Sequence, residues 1–321
     1  MKPITSLFAF LLMFIALNVQ ANYSQRSDVQ QFIDEMVEKH GFDRDELMSQ
    51  FASAKKLDGV LEAIAKPAEK VLTWREYRPI FVTSKRILRG NKFLKQHYQT
   101  LKRAEKEYGV PAEIITAIIG VETYYGRSSG KTQVFDSLVT LGFDYPPRSS
   151  FFLSELEQYL LLMREENIDV KAIRGSYAGA MGMPQFISSS YRHYAVDFDG
   201  DGKRDLLNNT ADAIGSVANY FKAHGWETGG QVVVSARVNG QIEETRNKLK
   251  PHTSIADLAS EGVFPKTDVD NDVKATVITL KGKRGTEYWL GLDNFYVITR
   301  YNHSALYAMA VYQLSQKFDA Y

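Results

Sequence analysis

The chain has no cysteine among its 321 residues, which excludes disulfides and a lipid-modified N-terminal cysteine. It also lacks an excess of either charge, with 39 Lys and Arg against 38 Asp and Glu. A polyanion binder needs a basic surplus or a dense basic stripe, so nucleic acid is set aside as a partner. Its six histidines are scattered, with no pair at helical ligand spacing and no thiolate to join them, which argues against catalytic zinc. Internal repeats and low-complexity segments are absent. So is any apolar run long enough to span a bilayer: Leu7 to Leu17 is about half of the roughly 20 residues required. That run follows Lys2 and precedes Asn18-Val19-Gln20-Ala21, a small-x-small ending, and reads as a cleavable export signal over 1–21. Cleavage after Ala21 removes only Lys2 from the charge count, leaving 38 basic against 38 acidic residues.

The full chain is 44% apolar and long enough for one large or two smaller domains that need no disulfide staples. Residues 28–107 carry a charged, amphipathic helical pattern, clearest in Gln31-Phe32-Ile33-Asp34-Glu35-Met36-Val37-Glu38. Residues 108–228 alternate apolar helical segments with glycine-rich turns and hold nearly every candidate motif. In 229–298 the texture becomes β-branched, and Gln231–Val238 and Lys274–Leu280 read as strands of a small β region. A final segment, 299–321, returns to helix over Ser304–Phe318, packing back through Leu306, Met309, Ala310 and Leu314. The expected fold class is mainly α (α+β).

Glu122 is the most informative residue. In Val110–Gly126 the spacing predicts a helix with Pro111 in its first position and Gly126 at its C-terminal cap. Ile115, Ile118, Ile119 and Glu122 then share one face. An acid on an apolar face has its charged form penalised, which suits a general acid, although for the residue taken alone a partly buried glutamate in a structural ion pair is the commoner explanation.

Asp197-Phe198-Asp199-Gly200-Asp201-Gly202-Lys203-Arg204-Asp205-Leu206-Leu207-Asn208 matches an EF-hand-like calcium loop. Asp197, Asp199 and Asp201 supply oxygens at alternate positions, Lys203 its carbonyl and Asp205 the ninth position. Asn208 replaces the usual bidentate glutamate, which predicts weaker calcium binding or a site satisfied by sodium or water. Gly175–Phe186 packs small residues around Ser176 and Gln185, fitting either close approach to a ligand or a tight helix crossing. Two other matches fail on context. Gly126–Thr132 is one residue short of a phosphate loop, and Ser128 in Gly126-Arg127-Ser128-Ser129-Gly130 follows a helix where a nucleophile elbow needs a strand. Tyr124, Tyr125, Tyr177, Tyr301 and Tyr307 lie near these motifs and suit stacking against sugar rings.

Taken in order, Gly120-Val121-Glu122-Thr123-x-Tyr125-Gly126, Gly175-Ser176-x-Ala178-Gly179-Ala180-Met181-Gly182-x-x-Gln185-Phe186 and Tyr301-Asn302-x-Ser304 resemble the B-type lytic murein transglycosylases. The resemblance runs from about Phe32 to the C-terminus. It implies a lysozyme-like α core with an added helical region, a small β region and an ion loop. It also implies cleavage of the bond between N-acetylmuramic acid and N-acetylglucosamine in peptidoglycan. Glu122 would be the single acid and base, with Ser176, Gln185, Tyr220, Tyr301, Asn302 and Tyr307 lining the glycan groove and Tyr77 reaching it from the helical region. Paired arginines often follow Phe-Asp-Tyr-Pro in the family; here Pro147 takes the first place and only Arg148 remains to meet the peptide stem.

The implied partners are peptidoglycan strands and wall-building proteins. No catalytic cofactor is expected, and the protein is expected to be a soluble periplasmic monomer, in contrast to the family's lipoproteins. A hydrolytic muramidase would need a second acid such as Asp136 or Asp144 near the bond. A catalytically silent wall-binding protein would leave Glu122 without a purpose for its burial cost.

Overall fold

The computed structural model describes residues 22–65, 72–240 and 249–319, and the expected export signal over 1–21 lies outside them. The chain divides into two compact units, Met1–Lys56 and Leu57–Tyr321. That boundary falls inside the span expected as one helical region. In the first unit, α1 (Ser27–His40) buries Val29, Phe32, Ile33 and Met36, a stripe at helical spacing. The Asp43 carboxylate accepts the Glu46 amide at 2.8 Å to start α2 (Arg44–Ala52), and Phe32 meets Phe51 edge-on at 5.9 Å.

The second unit opens with α3 (Asp58–Ala65), α4 (Trp74–Phe81), α5 (Ser84–Gln96), α6 (Tyr98–Tyr108) and α7 (Ala112–Thr123). A two-residue antiparallel pair, β1 (Thr132–Gln133) with β2 (Arg174–Gly175), brackets α8 (Val134–Asp144) and α9 (Ser149–Glu165). After it come α10 (Ser188–Tyr194) and α11 (Thr210–Ala223). Helix α7 is apolar nearly all round, and Ile115, Ile118 and Ile119 are fully buried. Such a helix has to sit at the centre of a bundle; α5, α6, α11 and the last helix all pack on it.

The β region is one antiparallel sheet ordered β4-β6-β7-β3-β5, built from β3 (Val233–Val238), β4 (Thr253–Ser254), β5 (Val263–Pro265), β6 (Lys274–Gly282) and β7 (Gly285–Gly291). With α12 (Ile255–Ser260) it closes its own core of Val234, Ala236, Ile255, Leu258, Val263 and Leu290. The expected strands become β3 and β6. The chain then returns to the helical bundle through α13 (Asp293–Tyr301), which begins within the span read as β, and α14 (Ala305–Ser315). The fold is mainly α with a small sheet, as the sequence predicts. No helix among the described residues is long and apolar enough to cross a membrane.

Candidate active site

Glu122 occupies the last turn of α7, half-buried. The helix does not run to a cap at Gly126. It stops at Thr123, because Tyr124 and Tyr125 both take left-handed backbone, at φ 53° and 62°. Bulky residues rarely adopt that region, and side-chain contacts hold them there. Arg86 and Arg89 of α5 place their guanidiniums 4.9 and 4.5 Å from the Tyr124 ring. The Tyr125 hydroxyl donates to the Arg86 carbonyl at 2.8 Å, and Arg86 Nε donates to the Gly120 carbonyl at 3.0 Å. A cation on the terminal carbonyls of α7 also complements the helix dipole. Pro111 is likewise the N-cap, one place before the position expected.

The Tyr307 hydroxyl, from the first turn of α14, donates to Glu122 Oε1 at 2.5 Å. Tyr301 stacks nearly parallel to Tyr307, with centroids 6.4 Å apart and planes 11° apart, and donates its hydroxyl to the Pro184 carbonyl at 2.6 Å. Both phenols are pushed well above their ordinary range, first by burial and then by the negative charge of Glu122. They remain donors. Tyr220 meets Tyr301 edge-on at 4.9 Å and donates to the Arg300 carbonyl at 2.7 Å, its own pKa pushed up to about 12 by burial. Tyr77 is buried on α4, close enough to act electrostatically on Tyr307.

The glycine-rich segment folds as a tight loop whose polar side chains brace it. Ser176 Oγ accepts the amides of Ala178 and Ala180 at 3.2 and 3.0 Å. Gln185, itself at φ 53°, donates to the carbonyls of Ser129 and Gly182 at 3.0 and 2.9 Å. Thr123, the residue after Glu122, joins the loop to α7 by donating to the Met183 carbonyl at 2.8 Å. Gly182 is required where it stands: φ is +71°, and a Cβ would lie 2.4 Å from the Leu206 carbonyl oxygen.

The structure thus gathers Glu122, Tyr77, Tyr301, Tyr307 and Tyr220 into one network, with Ser176 and Gln185 in the adjoining loop. Asn302 follows α13 as its C-cap, half-buried beside Tyr301 in sequence. Arg148 is not brought to this network; it is exposed and lies over the rings of Phe151 and Phe152, at 4.2 and 5.2 Å. Asp136 is buried at the start of α8, where its charge acts on Tyr159. Sequence reasoning missed Arg86, Arg89 and Thr123, which position the end of α7. Thr123 adjoins Glu122 in the motif, whereas Arg86 and Arg89 lie more than 30 residues earlier and reach it only through the fold.

In the acidic loop the Asp197 carboxylate accepts the amides of Gly200, Asp201 and Gly202 at 2.7, 3.1 and 2.8 Å. The Gly202 amide is the main cause holding its pKa down. Asp197, Asp199 and Asp212 each offer an oxygen within 4.8 Å of the others. Asp212 is fully buried, accepts the amides of Phe198 and Asp205 at 2.8 Å each, and has its pKa raised by burial. It was missed in the sequence because an acid in the third position of a helix reads as an ordinary N-terminal acid. Asp201 accepts the Lys203 amide at 2.9 Å, while Asp205 accepts from the backbone and side chain of Asn208, the latter at 3.2 Å. Converging carboxylates of this kind fit a hard cation held by oxygen.

The Transglycosylase SLT domain family matches residues 24–316. A curated relative, the membrane-bound lytic murein transglycosylase B of Escherichia coli (strain K12), is 48% identical over 304 residues, covering 92% of this chain and 83% of its own. Among solved structures, the catenated lytic transglycosylase SltB1 of Pseudomonas aeruginosa superposes with a TM-score of 0.88 at 51% identity, over 92% of this chain and 98% of that one. The Escherichia coli lytic transglycosylase Slt35 in complex with calcium gives 0.83 at 48% identity, over 93% of each chain. Pseudomonas aeruginosa SltB3 in complex with NAG-NAM-pentapeptide gives 0.80 at 30% identity, over 91% and 79%. The lysozyme-like α architecture implied by the resemblance is the one these structures share with this chain. A half-buried glutamate at a broken helix end, an aromatic wall and a small-residue loop therefore occur here in a chain that belongs to the lytic transglycosylase family of the SLT domain.

Proposed function

We propose that this protein is a lytic transglycosylase that cleaves the β-1,4 bond between N-acetylmuramic acid and N-acetylglucosamine in peptidoglycan, leaving a 1,6-anhydromuramoyl end. The observation that carries the reading is the Tyr307 hydroxyl on Glu122 Oε1. Protonated Glu122 delivers its proton to the glycosidic oxygen as the bond from C1 breaks. The 2-acetamido oxygen supports the positive charge at C1. The Glu122 carboxylate then takes the proton of the muramoyl 6-hydroxyl, whose oxygen closes on C1. Glu122 ends protonated, and no water is consumed. Using one residue first as acid and then as base suits a half-buried carboxyl held in one rotamer by a neutral donor. Tyr307 supplies that donor, since burial keeps its hydroxyl protonated.

Tyr77, Tyr220, Tyr301 and Asn302 belong in this reading to the wall of the glycan groove, and Ser176 and Gln185 to the loop that borders it. Arg148, which the resemblance would give to a peptide stem, lies over Phe151 and Phe152 outside this network. The catalytic core is assigned to 108–228, the helical region to 28–107, the β region to 229–298 and the C-terminal segment to 299–321. Calcium would be held by Asp197, Asp199 and Asp212, with the Asp201–Asn208 segment closing the loop; its contribution is to pin α11 and not to react. The protein is assigned to the periplasm and acts on glycan strands there.

Digestion of peptidoglycan in ¹⁸O-labelled water tests the chemistry. Products free of label at muramoyl C1 support the transglycosylase, whereas label at C1 identifies a muramidase. An absence of any release identifies a wall-binding protein.

A further inference from the structure

We propose that a basic cavity between α4 and the β6–β7 hairpin is a carboxylate-binding subsite that takes the peptide stem of a glycan held in the cleft. This deepens the transglycosylase reading and rests on it. The cavity has a volume of about 580 Å³ and is walled by Trp74, Arg75 and Arg78 of α4, by the hairpin tip Lys283-Arg284, by Glu287 and by Gln313 of α14. Four cations thus face one carboxylate. None of the four makes an ion pair among the described residues.

Like charges gathered in one concavity raise its potential and draw in an anion. Guanidinium groups pair with a carboxylate through two parallel hydrogen bonds, so arginines on two separate elements make a clamp. One is already set: Arg78 Nε donates to Gln313 Oε1 at 2.6 Å, which orients the guanidinium from α14. Trp74 adds an independent observation. It is 1% exposed, it lines the cavity, and its buried indole N–H has no hydrogen-bond acceptor among the described residues. Buried donors are rarely left in that state, and an acceptor seated against Trp74 would satisfy it.

The position ties the cavity to the cleft. Tyr77, which acts on Tyr307, precedes Arg78 on the same helix. Gln313 lies six residues beyond Tyr307 on α14, or about 9 Å at the helical rise of 1.5 Å per residue. A short peptide branching from a sugar beside Glu122 spans that distance, since extended chain covers about 3.3 Å per residue. The volume falls within the roughly 300–1,000 Å³ of small-ligand pockets, which suits a peptide end.

The test compares the wild type with Lys283→Ala/Arg284→Ala on two substrates, glycan strands bearing pentapeptides and the same strands stripped of peptide. Both residues are exposed at a hairpin tip, so the fold is expected to hold. The expected result is a KM for peptide-bearing strands raised roughly three- to tenfold at unchanged kcat, within the range that loss of two solvent-exposed ion pairs spans. KM on stripped strands should stay within about twofold, and added salt should narrow the wild type's preference for peptide-bearing strands. An unchanged KM on peptide-bearing strands, or an equal rise on both, overturns the subsite. If the wild type cleaves neither substrate, the transglycosylase reading fails. Calorimetric titration with NAG-NAM-pentapeptide then decides the subsite separately, supporting it if the wild type binds several-fold more tightly than the variant and overturning it if the two match.

Discussion

The hydroxyl of Tyr307 donates to Glu122 Oε1 at 2.5 Å across 185 residues of sequence. It joins the end of α7 to the start of α14, and it fixes the rotamer of the one acid to which the mechanism gives both proton transfers. Tyr301 stacked behind Tyr307 leaves that ring little freedom to turn away.

Replacing Tyr307 by Phe keeps the ring and deletes the donor. A general acid that loses its fixed orientation forfeits part of the roughly 10²–10⁴-fold it supplies, so kcat is expected to fall roughly ten- to hundredfold. The affinity for glycan strands and the unfolding midpoint should change little. Steady-state kinetics beside a thermal melt distinguishes this outcome from a folding defect, which would lower the midpoint as well.

Gly120→Ala should damage the site from behind. A Cβ at Gly120 would lie 2.7 Å from the Tyr125 ring, and that ring is tied by its hydroxyl to Arg86 and packed against Phe93 at 5.7 Å. Relief requires moving the segment that ends α7. Overpacking of this kind costs about 1–3 kcal/mol, and denaturant unfolding should show a lower midpoint together with reduced turnover.

Calcium should raise the melting temperature and a chelator should lower it. A ligand bound only by the folded state stabilises it by about 2.7 kcal/mol at a hundred times its dissociation constant. Asp197→Ala should abolish the response by removing the carboxylate on which Gly200, Asp201 and Gly202 converge. A wild-type melt indifferent to both calcium and chelator would remove the ion from the account.

Stability should decline between pH 7 and pH 5. Burial holds His224 and His97 below the usual 6.5, the Tyr220 carbonyl opposing burial only in part for His224. The unfolded chain therefore binds protons that the folded one refuses once pH falls below about 6.5, and the loss grows until the folded pKa values are passed. His224 Nδ1 lies 2.7 Å from the Tyr220 carbonyl, which can only accept, so the neutral ring carries its proton there. His97→Gln/His224→Gln should flatten the profile. An equally steep decline in the variant would assign it to other groups.

How much of this was legible in the sequence follows from which interactions are local. The apolar periodicity of α7, the alternation in β3 and β6 and the acidic spacing of the ion loop are properties of short windows, and each marks its element. The ends of α7 were not legible, because Tyr124 and Tyr125 adopt left-handed backbone only under Arg86 and Arg89 from another helix. Strand β7 was unread because glycines bound it at both ends and its length is satisfied by pairing between β6 and β3. Asp212 and Tyr307 illustrate the same limit in the site. Each acquires its role from atoms brought to it by the fold: the sequence marks Tyr307 as an aromatic near the motifs, the family resemblance gives it to the groove, and neither foretells its hydrogen bond to Glu122.

The central claim is that Glu122 alone performs both proton transfers. Purified protein and Glu122→Gln should be incubated with intact peptidoglycan, and the soluble fragments weighed by mass spectrometry. The account predicts wild-type muramoyl ends lighter by one water than hydrolytic products, and none from Glu122→Gln although it still binds the strands. Reducing-end products from the wild type, or anhydro products persisting with Glu122→Gln, would contradict it.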